Sequence, residues 1–354
     1  MNCLPPMAVA AAMAQERDGA PCVAVELDLA GRYTRFVPDA GLSHALTLPR
    51  AKVGVGVGSG PVSGRVLLSG VRSGGEDNYI GIEGEAIVPE LQVAEARADL
   101  VPFGVAIGAG LVDDPWVISG ERAWGLPGVA PSLGESVGWL DRSDLGLWVG
   151  WTGPKRIVSV RVDVTSGEGN RGRERNEGKN VGGHVAVRPL AFGLGHKFVT
   201  IEGWLREGSR GLASVRDIRA GARASTQTDW VDGGVEWLGA WGVDGDAARQ
   251  PAGVSAFAAL HPWKGGKGKI VPAVAFARFD HTTELAGDPD TAAGVLRLGG
   301  GIDLDATGGA ARVLLGWEHV SAGAAVAEVA GATAFAGGDA IFVQFDLATV
   351  VETP

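Results

Sequence analysis

The chain has 354 residues, a formal net charge of −10, and 57 glycines and 11 tryptophans against 2 tyrosines. An acidic chain without a basic helix or an aromatic-basic module argues against nucleic acid as a partner. No apolar run approaches the roughly 18 residues of a transmembrane helix, so helical membrane spans are not expected.

At the N-terminus a short apolar run ends in Ala12-Met13-Ala14 before Gln15, an A-x-A-like cleavage site that marks residues 1–14 as an export signal. The segment lacks a basic n-region and carries Pro5 and Pro6; the alternative is an N-terminal tail without fixed structure. Removing it takes away Cys3 and leaves Cys22 alone, so neither a disulfide framework nor a cysteine metal site is expected.

From 22 to 350 one pattern recurs, a period-2 alternation of apolar and polar side chains. It runs through 25–36, 45–58, 62–71, 91–100 and 103–112, then 145–151 (LGLWVGW), 157–164 (IVSVRVDV) and 181–190. It continues through 198–206, 213–225, the stretch around Val235, Trp237 and Trp241, then 252–261, 272–279, 294–304, 311–320 and 340–347, about sixteen strands in all. In 157–164 Val158, Val160, Val162 and Val164 share one side while Ser159, Arg161 and Asp163 share the other, as successive strand side chains must. In 145–151 Leu145, Leu147, Val149 and Trp151 line one face, and Thr152-Gly153-Pro154-Lys155 supplies the turn that makes a hairpin.

Such strands separate an apolar medium from a wet one, and many reach the length of about 10 residues that a tilted strand needs to cross a bilayer. Short turns at Gly153-Pro154, Gly193-Leu194-Gly195 and Gly308-Gly309 contrast with the long connections 113–142 and 166–179. Trp139, Trp151, Trp204, Trp230, Trp241, Trp263 and Trp317 lie near strand ends and read as interfacial girdles. The expected fold is all-β, a closed antiparallel transmembrane β-barrel of the bacterial outer membrane, forming one domain over 22–350. The competing architecture is a soluble β-sandwich, β-helix or repeat sheet, whose strands usually run about 5–6 residues.

Other motifs point elsewhere and lack their context. Gly134-Glu135-Ser136-Val137-Gly138 matches the G-x-S-x-G nucleophile elbow, but a Gly/Pro loop precedes it and a strand follows, so no enzyme is expected. The Gly-rich stretch 54–64 lacks the G-x-G-x-x-G spacing and reads as a strand end and turn. Asp303 and Asp305 before Gly308 suggest a calcium loop, yet Leu314 stands where its closing glutamate belongs. The six histidines have no metal-ligand spacing, and no cofactor is expected.

A barrel of about sixteen strands leaves an aqueous channel, so the inward charges matter. Alternation turns Arg161, Arg188, Arg219, Arg223, Arg278, Arg297 and Arg312 inward, with Asp163 and Glu236 as inward acids. An arginine column could hand phosphate from fork to fork, or the same arginines could only solvate the wall and balance carboxylates. The functional expectation is a passive diffusion channel for small hydrophilic solutes, with anion preference as its sharper form. The alternative is a structural or surface-binding barrel with an occluded lumen.

From LTLPRAKVGVGVGSGPVSGRVLLSGV onward the order of features resembles the phosphate-selective porin O and P family. Pro49-Arg50-Ala51-Lys52-Val53-Gly54 opens a Gly-alternating strand, and 94–116 pairs an Ala-bearing strand with a Gly-rich one ending in a proline-marked loop. Arg142-Ser143-Asp144-Leu145-Gly146 starts the next strand, and Asn176 to Val181 leads to Arg188-Pro189. The likeness covers about residues 43–192. It implies sixteen strands, a homotrimer in outer-membrane lipid, and a long third loop folded into the lumen. By order of appearance that loop is 113–142, with Asp113, Asp114, Glu121 and Arg122 as candidate constriction residues. Two features depart from the family: the last residues are Val351-Glu352-Thr353-Pro354 rather than an aromatic terminus, and the chain is acidic.

Overall fold

The computed structural model describes residues 22–37, 43–73, 86–167, 169, 178–189, 199–210, 215–228, 230–243, 246–261, 270–285, 288–306, 309–323 and 338–353. The expected signal at 1–14, the turn Gly193-Leu194-Gly195, Trp263, Gly308 and most of 166–179 lie outside the described residues.

Alternation is realised as sixteen antiparallel strands. They are β1 (Cys22–Val37), β2 (Ser43–Ser59), β3 (Val62–Ser73), β4 (Ala86–Leu100), β5 (Val105–Asp113), β6 (Ser143–Thr152), β7 (Val158–Thr165) and β8 (Asn180–Val187). The second half holds β9 (Val199–Arg210), β10 (Val215–Gln227), β11 (Val231–Trp241), β12 (Ala252–Leu260), β13 (Ile270–Thr283), β14 (Ala292–Ala306), β15 (Gly309–Ala322) and β16 (Gly338–Thr353). Each pairs with its neighbours in sequence, and β1 closes on β16 from Val23↔Thr353 to Val37↔Asp339. Closure leaves no edge, so every strand satisfies its backbone within the sheet, the condition for crossing lipid.

The two faces differ as the period demands. Leu145, Leu147, Val149 and Trp151 are exposed on the outside of β6, as are Val181 and Val185 on β8 and Val235, Trp237 and Trp241 on β11. Exposed apolar side chains all round a closed sheet form a lipid-facing surface. Inward positions carry arginine, lysine and carboxylates, mostly buried, together with apolar side chains such as Trp204, Leu238, Phe257, Phe276 and Phe342.

Bulges re-aim the pattern in two strands. Between Ala30 and Arg32 the β1–β2 register shifts, so Leu46 and Leu48 face out on even positions of β2 while Val53, Val55 and Val57 face out on odd ones. Pro49, which has no amide to give a ladder, sits at that shift. A second shift at Leu67/Leu68 turns both Gln92 and Val93 of β4 inward.

The structure corrects several expectations. Val101–Phe103 is a 3-10 turn, and β5 starts only at Val105 after Gly104, whose φ of 64° is left-handed. Trp139 and Trp204 are not girdle residues: both are buried inside, Trp139 on the long loop and Trp204 at an inward position between outward Ile201, Gly203 and Leu205. Nearness to a strand end does not set the face; parity does. Segment 113–142, read as a long connection, contains α1 (Pro115–Trp124) and the one-turn α2 (Leu133–Ser136).

Candidate functional site

The long connection between β5 and β6 enters the lumen, and its sequence explains its shape. Asp114 caps α1, accepting from the amides of Trp116 (2.8 Å) and Val117 (3.2 Å), and Pro115 starts the helix where no amide is needed. Gly125, with φ of 74°, ends it and donates its amide to the Glu121 carbonyl at 2.9 Å.

Two apolar clusters hold this segment to the wall. Trp116, Val117, Leu133, Trp139 and Leu140 pack with Trp204 of β9 and with Leu238 and Ala240 of β11. Trp124, Leu126 and Val129 pack with Phe257, Phe276, Leu314 and Phe342 of β12, β13, β15 and β16. Glycine permits the close approach: a Cβ at Gly221 would lie 2.6 Å from the Trp116 ring, and one at Gly120 would lie 2.7 Å from the Arg223 guanidinium.

Arginines complete the attachment from around the barrel. Arg223 donates to the Ser119 hydroxyl (2.7 Å) and the Trp116 carbonyl (3.1 Å), with its guanidinium 4.0 Å from the Trp116 ring centre. It also pairs with Glu202 (3.0 Å) and Glu236 (2.8 Å). Arg219 pairs with Asp217 at 2.8 Å and donates to the Trp139 carbonyl, while Arg278 pairs with Asp280 at 2.9 Å and donates to the Pro131 carbonyl at 2.7 Å. Arg161 donates to the Asp113 carbonyl at 2.8 Å and lies 4.8 Å from the Trp148 ring centre.

The remaining inward residues of the sequence reading are spread out. Arg297 pairs with Glu318 (2.5 Å) and Asp280 (2.9 Å), Arg312 pairs with Asp303, and Asp163 lies 3.7 Å from Arg161. Arg188 departs from the expectation. It follows the end of β8 and donates to the Arg156 carbonyl of a turn at 3.0 Å, so it stands at the rim and not in a column with the others. The alternation that pointed it inward ends one residue earlier, at Val187.

Of the loop residues, Asp113 pairs with Arg65, and Asp114 pairs with Arg206 at 3.2 Å. Glu121 pairs with Arg142 (2.6 Å) and Arg50 (2.9 Å), whereas Arg122 is exposed within the lumen. Burial alone would raise the Glu121 carboxyl, but Arg142, Arg50 and Lys52 outweigh it and hold the group well below its ordinary value. Glu135 goes the other way, raised by burial and by Glu121 despite the opposing pull of Arg142.

Sequence reasoning missed Arg32, Arg50, Arg65, Arg142, Glu202 and Arg206. Arg32 donates to the Gly128 (3.0 Å) and Val129 (2.6 Å) carbonyls, so it too is a strut for the loop. The same alternation marks most of these residues: Glu202 and Arg206 oppose Ile201 and Leu205, and Arg50 opposes Ala51 and Val53. Arg142 precedes β6 and carries no such mark.

No cluster of metal-ligand type occurs among the described residues. His184 faces Glu202 at 3.2 Å, in the same charged row as Arg223. The Ser136 hydroxyl donates to the Leu133 carbonyl at 2.7 Å at the end of a four-residue helix, outside any strand-to-helix elbow. Asp303, part of the calcium-loop pattern, is engaged by Arg312.

No protein-family model and no curated protein matches the sequence. Solved structures do. OprB of Pseudomonas putida superposes with a TM-score of 0.61 at 8% identity, over 93% of this chain and 94% of that one. The anion-selective porin from Comamonas acidovorans gives 0.57 at 11% identity, over 94% and 99%. The trimer form of OmpT, an outer-membrane protein of Vibrio cholerae, gives 0.54 at 9% identity, over 94% and 100%. At such identities the likeness is one of fold: the chain has the closed-barrel architecture of outer-membrane porins.

Proposed function

We propose that this chain is an outer-membrane porin, a passive diffusion channel for small hydrophilic solutes, exported by its 1–14 segment. One observation carries the proposal: a closed barrel with an apolar exterior encloses a charged interior, narrowed by a loop that fills part of the lumen. Water and polar solutes are the medium such an interior suits. The fold likeness to OprB and to an anion-selective porin supports the reading.

Phosphate or general anion preference through an arginine column has weaker support. Arg219, Arg223 and Arg278 are buried and engaged by carboxylates and loop carbonyls, so they act as struts and wall balance. Fixed charge reaching the water therefore comes from both signs, and the channel we propose discriminates weakly by charge. A homotrimer, a form in which OmpT of Vibrio cholerae has been solved, belongs to the same proposal.

The opposing reading, an occluded barrel, draws on the many ties between loop and wall. Purified protein in planar bilayers separates the two: discrete current steps with a reversal potential near zero in a salt gradient support the channel. A well-folded barrel that passes no current refutes it.

A further inference from the structure

Where β10 and β11 reach the rim that bears the long connections, the outside of the barrel is not smooth. A cavity of about 370 Å³ opens there, lined by Val215, Arg216, Ile218, Trp241, Gly242 and Ala247, within the size range of small-ligand pockets. Ile218 stands opposite Glu207 of β9 and Trp241 of β11. Its chain neighbours Asp217 and Arg219 are buried inside, so the row Glu207, Ile218, Trp241 faces outward. The connection after β11 closes the cavity from above. Gly242, with φ of 77°, passes so near β10 that a Cβ there would lie 2.1 Å from the Arg216 carbonyl oxygen. Val243 is held in the inner apolar cluster with Trp116 and Leu238, and the Gly242 amide donates to the Arg249 carbonyl at 3.1 Å, closing the turn that carries Ala247.

Two opposite charges stand at the mouth. Arg216 Nε donates to Glu207 Oε1 at 2.9 Å, and Nη2 donates to the same oxygen. The side chains are 70% and 54% exposed, so their mutual attraction is weak and open to exchange. Glu207 Oε2 and the remaining guanidinium donors bond nothing among the described residues. On the other side the cavity continues into a trough. The outward residues of β10 are Ala220, Ala222 and Ala224, bounded by Leu205 and Ile201 of β9 and by Trp237 and Val235 of β11. From Arg216 to Ala224 the trough runs about 26 Å along a tilted strand, enough for one acyl chain through its half of a hydrocarbon core about 30 Å thick.

We propose that this cavity seats a phospholipid with a zwitterionic head: Arg216 takes the phosphate, Glu207 takes the primary ammonium, and one acyl chain lies against Ile218 and Trp241. Charge complementarity selects this occupant. A neutral pair of opposite charges matches a head that carries both signs, whereas a purely anionic head would leave Glu207 facing a like charge. Trp241, exposed beside the pair, has the apolar body and polar edge that suit the boundary between chains and heads. The site lies on the outer wall, so it stands whether or not the lumen conducts.

Native mass spectrometry of the full barrel, stripped of lipid in detergent and titrated with phosphatidylethanolamine, phosphatidylcholine or phosphatidylglycerol, tests it. One phosphatidylethanolamine per chain is expected to stay bound, about tenfold more tightly than the other two, since a methylated ammonium has no N–H for Glu207 and a glycerol head has no ammonium. Arg216→Gln is expected to weaken retention about tenfold, and Glu207→Gln to abolish the preference over phosphatidylglycerol. Ala247→Trp, which fills the cavity, is expected to remove the bound lipid. Arg35→Gln, at an exposed arginine on the same outer face of β1 opposite Ile341, is expected to change nothing. Heat-dependent gel mobility verifies that each variant is folded. Equal retention of phosphatidylglycerol and phosphatidylethanolamine by the parent overturns the proposal, as do folded Arg216→Gln and Ala247→Trp barrels that retain lipid like Arg35→Gln. Oligomers that these substitutions dissociate, with no lipid retained, put a second copy of the chain on this face and overturn it as well.

Discussion

Replacing Arg223 by alanine removes the strut that joins α1 to the wall. Its side chain is fully buried, and two of its hydrogen bonds reach the loop, to the Ser119 hydroxyl at 2.7 Å and the Trp116 carbonyl at 3.1 Å. Bonds from a charged donor contribute about 1.5–3 kcal/mol each, so their loss weakens docking by about 4 kcal/mol. The change also takes the guanidinium away from Glu236 and leaves Glu202 facing His184, and a docked loop keeps both carboxylates from water where an undocked loop would let them hydrate. That second effect acts in the same direction, so 4 kcal/mol is a lower figure. At 1.4 kcal/mol per factor of ten, the undocked population rises about 1000-fold. Limited trypsinolysis of the detergent-folded barrel reads this through cleavage after Arg122, alongside current noise in bilayers. Arg223→Lys, which keeps the charge without the planar fork, is expected to fall between. Parent-like cleavage and quiet current in Arg223→Ala would refute the view of this residue as a strut.

Acid should loosen the loop through Glu121. Its carboxyl is held below the ordinary value of 4.5, so its stabilisation is complete above that pH and is lost as pH falls through the folded value. Glu135, raised above 4.5, contributes with opposite sign: its share is present at low pH and is lost as pH rises through its folded value. Tryptophan emission and current noise between about pH 7 and 3 are expected to change on the acid side, and Glu121→Gln to show the loosened state already at neutral pH. A flat profile in the parent would remove Glu121 from that role. On the outside, Val149→Arg places a charge on the lipid face of β6, opposite Ile107 and Val162. At mid-bilayer depth this costs about 2–4 kcal/mol, and the folded fraction in lipid should drop, read by heat-dependent gel mobility. Unchanged folding would mean that this face does not meet lipid.

Most of the barrel was legible in the chain because alternation is local. A strand with Val158, Val160 and Val162 on one side and Arg161 and Asp163 on the other carries its two environments in a few consecutive residues. The exceptions have equally local causes in the backbone: the bulge beside Pro49 reverses the parity of β2, and the end of β8 at Val187 leaves Arg188 on the rim. Even the loop helix has readable ends in Asp114, Pro115 and Gly125.

What the chain does not carry in any short window is the partner of each inward charge. Arg223 meets Trp116, 107 positions away, and Arg278 meets Pro131, 147 positions away. Those meetings depend on the register of the closed sheet and on the course of the loop across it, and both are settled only when all sixteen strands are in place. Sequence therefore determined that arginines line the lumen. Tertiary structure decided that most of them are spent holding the loop, since a buried guanidinium must take the nearest carboxylate or carbonyl that the fold brings to it.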